Sequence, residues 1–404
     1  MILKRRVNGR NQWQTTVRRC IGPVVMMLLV ASCTATSASA SPSSKAAGPS
    51  STTAAGAVKS VAADLASIQK GVFSTPPTSP SPGVKKKNIW VIEWLGATTS
   101  TTVPVDAIKA ADKALGWKTT IYDAQGLPSN YVIGVNEAIA DGANGIILIA
   151  IDCSYIEGPL KQAKADHIAV TAIYAFDCSQ WGGGPSLYSA AISFGHRFTS
   201  EVALWRLWGS ASADYLITAT HGRPVTLMLD SYQLSVFTFY YQGFLSVMDK
   251  CKTCTVIKVP FDVSTQFTAT ALSGLITASV IAHPNINSSL FGTTVNNGYV
   301  QGIDSLGVAK VKTMKIIGGL GLPSEIALLR THAGLTATTA WPQQWIGYAA
   351  VDSINSVLAG RPTQDEGIGF QALDTANQQD WPAVGKYFTG VPNYAAIYKK
   401  RWGV

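Results

Sequence analysis

The chain from residue 88 onward alternates short apolar segments with longer segments that are apolar on one face only. The first apolar segments of this series span residues 88–94, 117–122, 144–151 and 168–176. A strand that is apolar on both faces is buried on both faces, as in a parallel sheet covered by helices on each side. The alternation therefore predicts an α/β fold built on a doubly wound parallel sheet.

The same alternation restarts near residue 198 and continues to a last helical pattern at 346–358. Strands are predicted in this second series at 224–229, 255–259, 288–291, 311–317 and 335–339. Two series of similar size predict two lobes with a cleft between them.

The first 33 residues have the organisation of an export signal. Six basic and no acidic residues precede an apolar run at 21–30, which is shorter than the roughly 20 residues that span a bilayer. Small residues follow, and Val30-Ala31-Ser32-Cys33 resembles the lipobox of bacterial lipoproteins. The resemblance implies removal of residues 1–32, lipidation of Cys33, and anchoring to the outer face of the cytoplasmic membrane.

Two alternatives stay open for this leader. An ordinary signal peptide could be cut at residues 38–40, and Arg18-Arg19 leaves open whether export uses the general or the twin-arginine route. Residues 33–87 are predicted to be a tether rich in Ser, Thr and Pro, with a short helix at 57–73. Removing the six basic residues of the leader lowers the formal charge from +9 to +3, which gives no argument for nucleic acid.

Four cysteines remain once Cys20 and Cys33 are assigned to the leader and the anchor. An even number in an exported chain predicts two disulfides. Cys251 and Cys254 could form a metal or redox pair, but no second CxxC or nearby histidine pair completes a zinc set. A small structural loop closure is favoured for this pair, and no metal or cofactor is expected.

Several motifs occur in the order typical of one family. They are residues 122–126 (YDAQG), 138–147 (AIADGANGII), Asp152, 242–244 (QGF), 296–297 (NN) with Gly302, and 341–360. Together they resemble the type I periplasmic substrate-binding proteins, the ribose- and galactose-binding group. The resemblance implies two lobes joined by three crossing segments, near 187–192, 340–343 and 361–371. The implied boundaries are 88–190 with 342–362 for the N-terminal lobe, and 191–341 with 363–404 for the C-terminal lobe. It also implies that ligand binds at the carboxyl ends of the strands and that hinge closure traps it.

The resemblance also implies a second disulfide. In this topology Cys153 and Cys178 come just after the ends of neighbouring parallel strands. Such strands lie about 4.8 Å apart, and a disulfide joins Cα atoms roughly 4.4–6.8 Å apart. A Cys153–Cys178 bridge at the rim of the cleft is therefore expected.

The six candidate ligand contacts are Trp94, Thr98, Asp152, Tyr240, Asn296 and Trp341, and four of them occupy contact positions of the family. Asp152 keeps the acceptor and Asn296 the amide, whereas Tyr240 replaces an arginine and Trp341 a glutamine. The family positions occupied by Cys153 and Leu320 have also become less polar. This pattern favours a partly apolar, aromatic or nucleoside-like ligand stacked on Trp341, Tyr240 and Trp94. An alternative alignment gives the hydrogen bonding to other side chains, namely Thr98, Thr99, Ser100, Asp177, Gln180, Tyr232 and Gln233.

Neither catalysis nor gene regulation is expected. The sequence has no Gly-x-Ser-x-Gly elbow and no phosphate loop, and its five histidines lack metal spacing. The two resemblances, to the lipobox and to the type I binding proteins, together imply a monomeric, extracytoplasmic solute-binding lipoprotein that passes a small molecule to the permease of an ABC importer. The alternative is a ligand sensor that presents its closed form to a membrane receptor or kinase.

Overall fold

The computed structural model describes residues 51–404 except 193, 195–197, 199, 232–233, 263–264, 266–267 and 293–296. The predicted leader and Cys33 lie outside the described residues, and so do Asn296, Tyr232 and Gln233. Among the helices that are described, none combines the length and hydropathy required to cross a membrane.

The described chain begins with helix α1 (Ser51–Gln69) and then enters the first lobe. Its strands are β1 (Asn88–Glu93), β2 (Lys118–Asp123), β3 (Gly145–Ile149) and β4 (Ala169–Ile173). They form an all-parallel sheet in the order β2-β1-β3-β4. Every residue of β3 and β4 is buried, as their continuous apolar sequences predict. The helices between the strands are α2 (Thr99–Leu115), α3 (Pro128–Ala140) and α4 (Glu157–Ala165).

The second lobe carries six strands in the order β10-β9-β8-β7-β5-β6. They are β5 (Val225–Asp230), β6 (Thr255–Pro260), β7 (Ser288–Phe291), β8 (Lys315–Gly318), β9 (Ala337–Ala340) and β10 (Gln371–Asp374). Only β10 runs antiparallel to its neighbour. The helices of this series are α5 (Glu201–Ala219), α6 (Ser235–Met248), α7 (Ala269–Ala282), α8 (Asn297–Asp304), α9 (Val308–Thr313) and α10 (Pro323–Thr331).

Two further helices follow β9. Helix α11 (Gln343–Leu358) packs on α2 and β4 of the first lobe, and α12 (Tyr394–Trp402) ends the chain. The architecture confirms the predicted α/β fold with two doubly wound lobes.

Three local predictions differ from the structure. The segment 311–317 was expected to be one strand, but its first part belongs to α9 and only Lys315–Gly318 forms β8. Helix α1 begins at Ser51 and ends at Gln69, rather than spanning 57–73. The strand β10 and the helix α12 have no counterpart in the sequence prediction, because their short apolar patterns depend on contacts with distant parts of the chain.

The glycine of the QGF motif has a packing role. A Cβ atom on Gly243 would lie 1.9 Å from the Arg206 carbonyl oxygen, and one on Gly209 would lie 1.8 Å from the Tyr240 carbonyl oxygen. Helices α5 and α6 therefore approach with their backbones in contact, which only residues without a side chain permit. This close contact fixes the middle of α6 against α5, the first helix of the second lobe.

One hydrophobic core cluster runs through the hinge from one lobe to the other. It includes Val91 and Ile147 of the first sheet, Leu290 and Ile317 of the second, and Trp341 between them. The two lobes are therefore joined by packed side chains as well as by chain crossings.

Candidate functional site

Acidic residues mark the carboxyl ends of the parallel strands. In the first lobe, Glu93 ends β1, Asp123 ends β2, and Asp152 follows β3. In the second lobe, Asp230 ends β5. Ligands of open α/β sheets bind outside these strand ends, so this edge of each lobe is the candidate site.

Asp152 is the residue that connects the two lobes at this edge. Its Oδ1 atom accepts a hydrogen bond from the backbone N–H of Phe176 at 2.9 Å and another from the hydroxyl of Ser235 at 2.8 Å. Ser235 is the first residue of α6 in the second lobe. The carboxyl group is only 5% exposed, and burial raises its pKa to about 6, although both hydrogen bonds act in the opposite direction.

Aromatic side chains pack between the lobes beside Asp152. The rings of Phe176 and Phe239 lie 4.8 Å apart, and those of Trp181 and Phe239 lie 5.6 Å apart. Trp205 of α5 contacts Phe176 from the same side, at 6.4 Å. Because Phe176 and Trp181 follow β4 whereas Trp205 and Phe239 belong to α5 and α6, this cluster forms part of the interface that closes the cleft.

Two aromatic residues of the first lobe, Tyr131 and Tyr155, lie near Asp152, and a third, Trp94, contacts Tyr131. The Trp94 side chain hydrogen-bonds to Tyr131, and the rings of Tyr131 and Tyr155 meet edge to face at 5.9 Å. Burial raises the pKa of Tyr131 to about 12, and the negative charge of Asp152 adds to that rise. Tyr155 is 46% exposed. The structure therefore brings the predicted residues Trp94 and Asp152 to one edge of the sheet.

Thr98 lies nearby, but its hydroxyl group already has local partners. It donates to the Leu95 carbonyl at 3.2 Å and lies 3.0 Å from the hydroxyl oxygen of Thr101. These contacts hold the turn that starts α2. A ligand contact from Thr98 stays a prediction.

Tyr240 and Trp341 lie in the packed core that connects the lobes. The Tyr240 hydroxyl is 3.0 Å from the Ser212 hydroxyl, and its ring centroid is 4.3 Å from that of Trp208. Trp341 stacks on Trp205 at 5.3 Å and on Phe370 at 5.1 Å.

Both residues are at most 2% exposed, so their rings contact protein atoms in this conformation. The Trp341 Nε1 atom has no hydrogen-bond partner among the described residues. Ligand contacts from these two rings therefore stay predictions.

Asp177 and Gln180 organise the loop after β4. The Asp177 carboxylate accepts hydrogen bonds from the Ser186 hydroxyl at 2.6 Å and from the Leu187 N–H at 2.9 Å. Its own N–H donates to the Gln180 side chain at 3.1 Å. These hydrogen bonds therefore fix the loop that leads from β4 to the first crossing segment, near residues 187–192.

Both predicted disulfides are present. Cys153 and Cys178 are joined with their Cα atoms 5.0 Å apart, and Cys251 and Cys254 with theirs 5.3 Å apart. The first bridge ties the loop after β3, which carries Asp152, to the loop after β4. It thereby restricts the position of the candidate ligand contact.

Sequence reasoning missed four residues of this edge, namely Tyr131, Tyr155, Glu201 and Ser235. Burial raises the pKa of Glu201 to about 8, and the charge of Asp152 adds to the rise, so these two carboxyl groups lie near each other. Only Tyr155 had a local signal, since it follows Asp152 by three residues. The positions of the others depend on how the helices pack.

Residues 101–362 match the sequence profile of the family described as periplasmic binding protein domain. This match covers more than half of the chain, so the chain belongs to that family. Its members are solute-binding proteins rather than enzymes, and they act outside the cytoplasm, which supports export of this chain. No curated protein matches the chain significantly by sequence.

Solved structures show the same type I fold. An ABC transporter solute-binding protein from Agrobacterium vitis, bound to alpha-D-tagatopyranose, is 21% identical with a TM-score of 0.63, covering 75% of this chain and 99% of that one. A Burkholderia graminis counterpart in complex with D-arabinose is 16% identical with a TM-score of 0.62, covering 74% and 99%.

The fructose-binding periplasmic domain of a hybrid two-component system is also similar. It is 16% identical with a TM-score of 0.60, covering 72% of this chain and 91% of that one. These identities establish the fold and not the ligand.

Proposed function

We propose that this protein is an exported, lipid-anchored, monomeric binding protein that captures a small sugar or sugar-like molecule and delivers it to an ABC importer. The observation that carries the proposal is the position of Asp152, a buried carboxyl group where the lobes meet, with Trp94, Tyr131 and Tyr155 beside it. Family membership and the sugar-bound structural neighbours support it.

The chemistry of this edge suits a ligand with two kinds of surface. A carboxylate accepts hydrogen bonds from ligand hydroxyl groups, whereas aromatic rings cover an apolar face. A sugar ring offers both surfaces, and so does a nucleoside. The proposal therefore includes aromatic and nucleoside-like ligands beside simple sugars.

A thermal-shift screen tests the binding function directly. Sugars, polyols, nucleosides and small aromatic compounds would be added to the mature protein. A ligand at about 100 times its dissociation constant stabilises the folded state by roughly 2.7 kcal/mol, which gives a clear rise in the unfolding temperature. A complete absence of stabilisation across these classes would contradict the proposed ligand class.

Tyr155→Ala is expected to weaken binding of a screened ligand about tenfold, or roughly 1.4 kcal/mol. Aromatic contacts contribute about 0.5–1.5 kcal/mol beyond their area burial, and Tyr155 is 46% exposed, so part of its surface is accessible to a ligand. Titration calorimetry measures the change. Ile133→Ala is the matched control, since Ile133 is 45% exposed on the same lobe. Equal affinities in Tyr155→Ala and Ile133→Ala would show that Tyr155 does not contact the ligand.

Cys33→Ala is expected to release the protein from the membrane without unfolding it, because Cys33 precedes the folded lobes in the sequence and belongs to the segment predicted to be a tether. A single acyl chain binds only marginally, whereas several give stable attachment. Membrane fractionation checks this, with Ser37→Ala as the neighbouring control that should stay in the membrane fraction. A wild-type protein that is already found in the soluble fraction would point to ordinary signal-peptide cleavage.

The delivery step has its own test. Deleting the gene should abolish cellular uptake of the screened ligand, and the wild-type gene should restore it. Normal uptake combined with a lost transcriptional response to the ligand would instead indicate a sensor.

A further inference from the structure

Both ends of the described chain cross between the lobes, in addition to the three crossings of the fold. We call residues 70–87 the N-terminal strap and residues 381–393 the C-terminal strap. The predicted boundaries placed residues 33–87 in a tether and all of 363–404 in the second lobe. The contacts instead place α1 on the second lobe and α12 on the first.

The N-terminal strap starts from a helix that is docked on the second lobe. Helix α1 packs on α5 through a buried stripe that contains Val61, Leu65 and Ile68. At its end, the Gln69 carbonyl accepts hydrogen bonds from the side chains of Gln371 at 2.7 Å and Asn377 at 3.0 Å. The start of the strap is therefore fixed to the β10 region.

The strap then runs beside the third crossing segment. The Val72 N–H donates to the Phe370 carbonyl at 2.9 Å, and the Ser74 N–H donates to the Gly367 carbonyl at 2.7 Å. A Cβ atom on Gly369 would lie 2.3 Å from the Val72 carbonyl oxygen, so the two segments approach with their backbones in contact. Movement of one segment must therefore involve the other.

The strap ends on the first lobe, where it pairs with the end of the chain. The Ser81 and Gly83 N–H groups donate to the carbonyls of Arg401 and Trp402 at 2.9 and 3.0 Å. The Val84 N–H donates to the side chain of Asn355 in α11 at 2.9 Å. Both ends of the N-terminal strap are thus held by hydrogen bonds, one end on each lobe.

The C-terminal strap also crosses from the second lobe to the first. It begins on the second lobe, where Arg330 of α10 donates to the Pro382 carbonyl at 2.7 Å and lies over the Trp381 ring at 5.4 Å. It ends at α12 on the first lobe, where Arg401 pairs with Asp352 of α11.

The two straps contact each other at the hinge. The rings of Phe73 and Phe388 meet edge to face at 5.9 Å, and Phe73 also lies 6.5 Å from Trp345 of α11. Both straps lie outside the family match at 101–362. The alignment to the Agrobacterium vitis protein covers 75% of this chain, so a quarter of its residues are unmatched. The residues before Ser51 account for only part of that quarter.

We propose that the two straps restrain the opening of the lobes, so that this protein opens less widely than a relative with three crossings. Hinge motion in two-lobed binding proteins is absorbed by a few residues in the crossing segments. Here the lobes are joined by five segments. The two straps are packed against each other, and the N-terminal strap also runs against the third crossing. The proposal depends on the two-lobe architecture and not on the identity of the ligand.

Cutting one strap after folding tests the proposal. A specific protease site would be inserted between Val384 and Gly385, where Val384 is 82% exposed. Spin labels on Lys161→Cys in α4 and Ile281→Cys in α7 report the distance between the lobes without ligand, by pulsed electron spin resonance. We expect a narrow distance distribution before cleavage, and a broader one with a longer mean afterwards. An unchanged distribution in the cleaved, folded protein would overturn the proposal.

A second variant decides the matter if the cleaved protein loses its circular dichroism spectrum. Phe388→Ala removes the contact between the straps and leaves the chain intact, so it should broaden the distribution in the same direction. Val384→Ala, in the same strap but exposed, is the control that should leave the distribution unchanged. A distribution that is identical for Phe388→Ala and the control would contradict the restraint.

Discussion

Asp352→Ala is expected to lower the free energy of unfolding by about 3–5 kcal/mol, because it leaves a buried guanidinium group without its counter-ion. Arg401 is 3% exposed, and its Nε atom lies 3.0 and 3.1 Å from the two carboxylate oxygens of Asp352. The Trp402 indole also donates to this carboxylate, at 2.6 Å. Removing the carboxylate therefore takes away the acceptor that two buried donors share, and α12 keeps only its other contacts to α11, such as the Trp345–Tyr398 hydrogen bond.

Urea unfolding of the wild type and the variant measures this loss. Glu157→Ala is the matched control, because it breaks the Glu157–Lys161 pair, whose side chains are 39% and 57% exposed. Exposed pairs in a helix contribute about 0.3–0.5 kcal/mol. A loss in Asp352→Ala as small as in the control would mean that Ser79 and Gln364, the other acceptors of Arg401, are sufficient partners.

The lobes could be predicted from the sequence because their pattern is local. A buried strand such as Gly145–Ile149 is apolar in every residue, and neighbouring helical patterns show which segments cover it. The straps could not be predicted in this way. Residues 70–87 contain few periodic apolar positions, and their structure comes from hydrogen bonds to residues about 300 positions away.

The candidate site was predictable in part, for the same physical reason. Trp94 ends one predicted strand and Asp152 follows another, so the topology alone brings them to one edge. Ser235 reaches Asp152 only because α5 and α6 pack closely and the lobes meet. Tyr240 was assigned to the site by its position in a motif, whereas the direction of its side chain toward Trp208 depends on helix packing.

Asp152→Asn is expected to make folding less dependent on pH and ligand binding weaker. Burial raises the pKa of Asp152 from its ordinary 3.8 to about 6. Between these two values the folded state binds more protons at this site than the unfolded state. The contribution of Asp152 to stability therefore falls as pH rises from about 4 to about 6, and the carboxylate then costs roughly 3 kcal/mol.

The asparagine has no charge to bury, and its carbonyl oxygen can still accept from the Phe176 N–H and the Ser235 hydroxyl. The stability of Asp152→Asn relative to the wild type should therefore rise by up to about 3 kcal/mol between about pH 4 and pH 7. Urea unfolding at several pH values measures this difference. Glu201, whose pKa is also raised, is present in both proteins. The difference in stability between the two proteins therefore reports on Asp152, including its electrostatic interaction with Glu201. A pH-independent difference would mean that Asp152 ionises normally.

A charged group that destabilises the fold at neutral pH needs a reason to be there, and functional sites are where such costs are expected. If the carboxylate accepts hydrogen bonds from ligand hydroxyl groups, the asparagine replaces one acceptor oxygen with a donor. Affinity for a screened ligand should then fall at least tenfold, roughly 1.4 kcal/mol, while the variant gains stability at neutral pH. Titration calorimetry measures the loss of affinity, and the urea unfolding curves measure the gain in stability. Wild-type affinity in a stabilised Asp152→Asn protein would show that this carboxylate holds the lobes together without contacting the ligand.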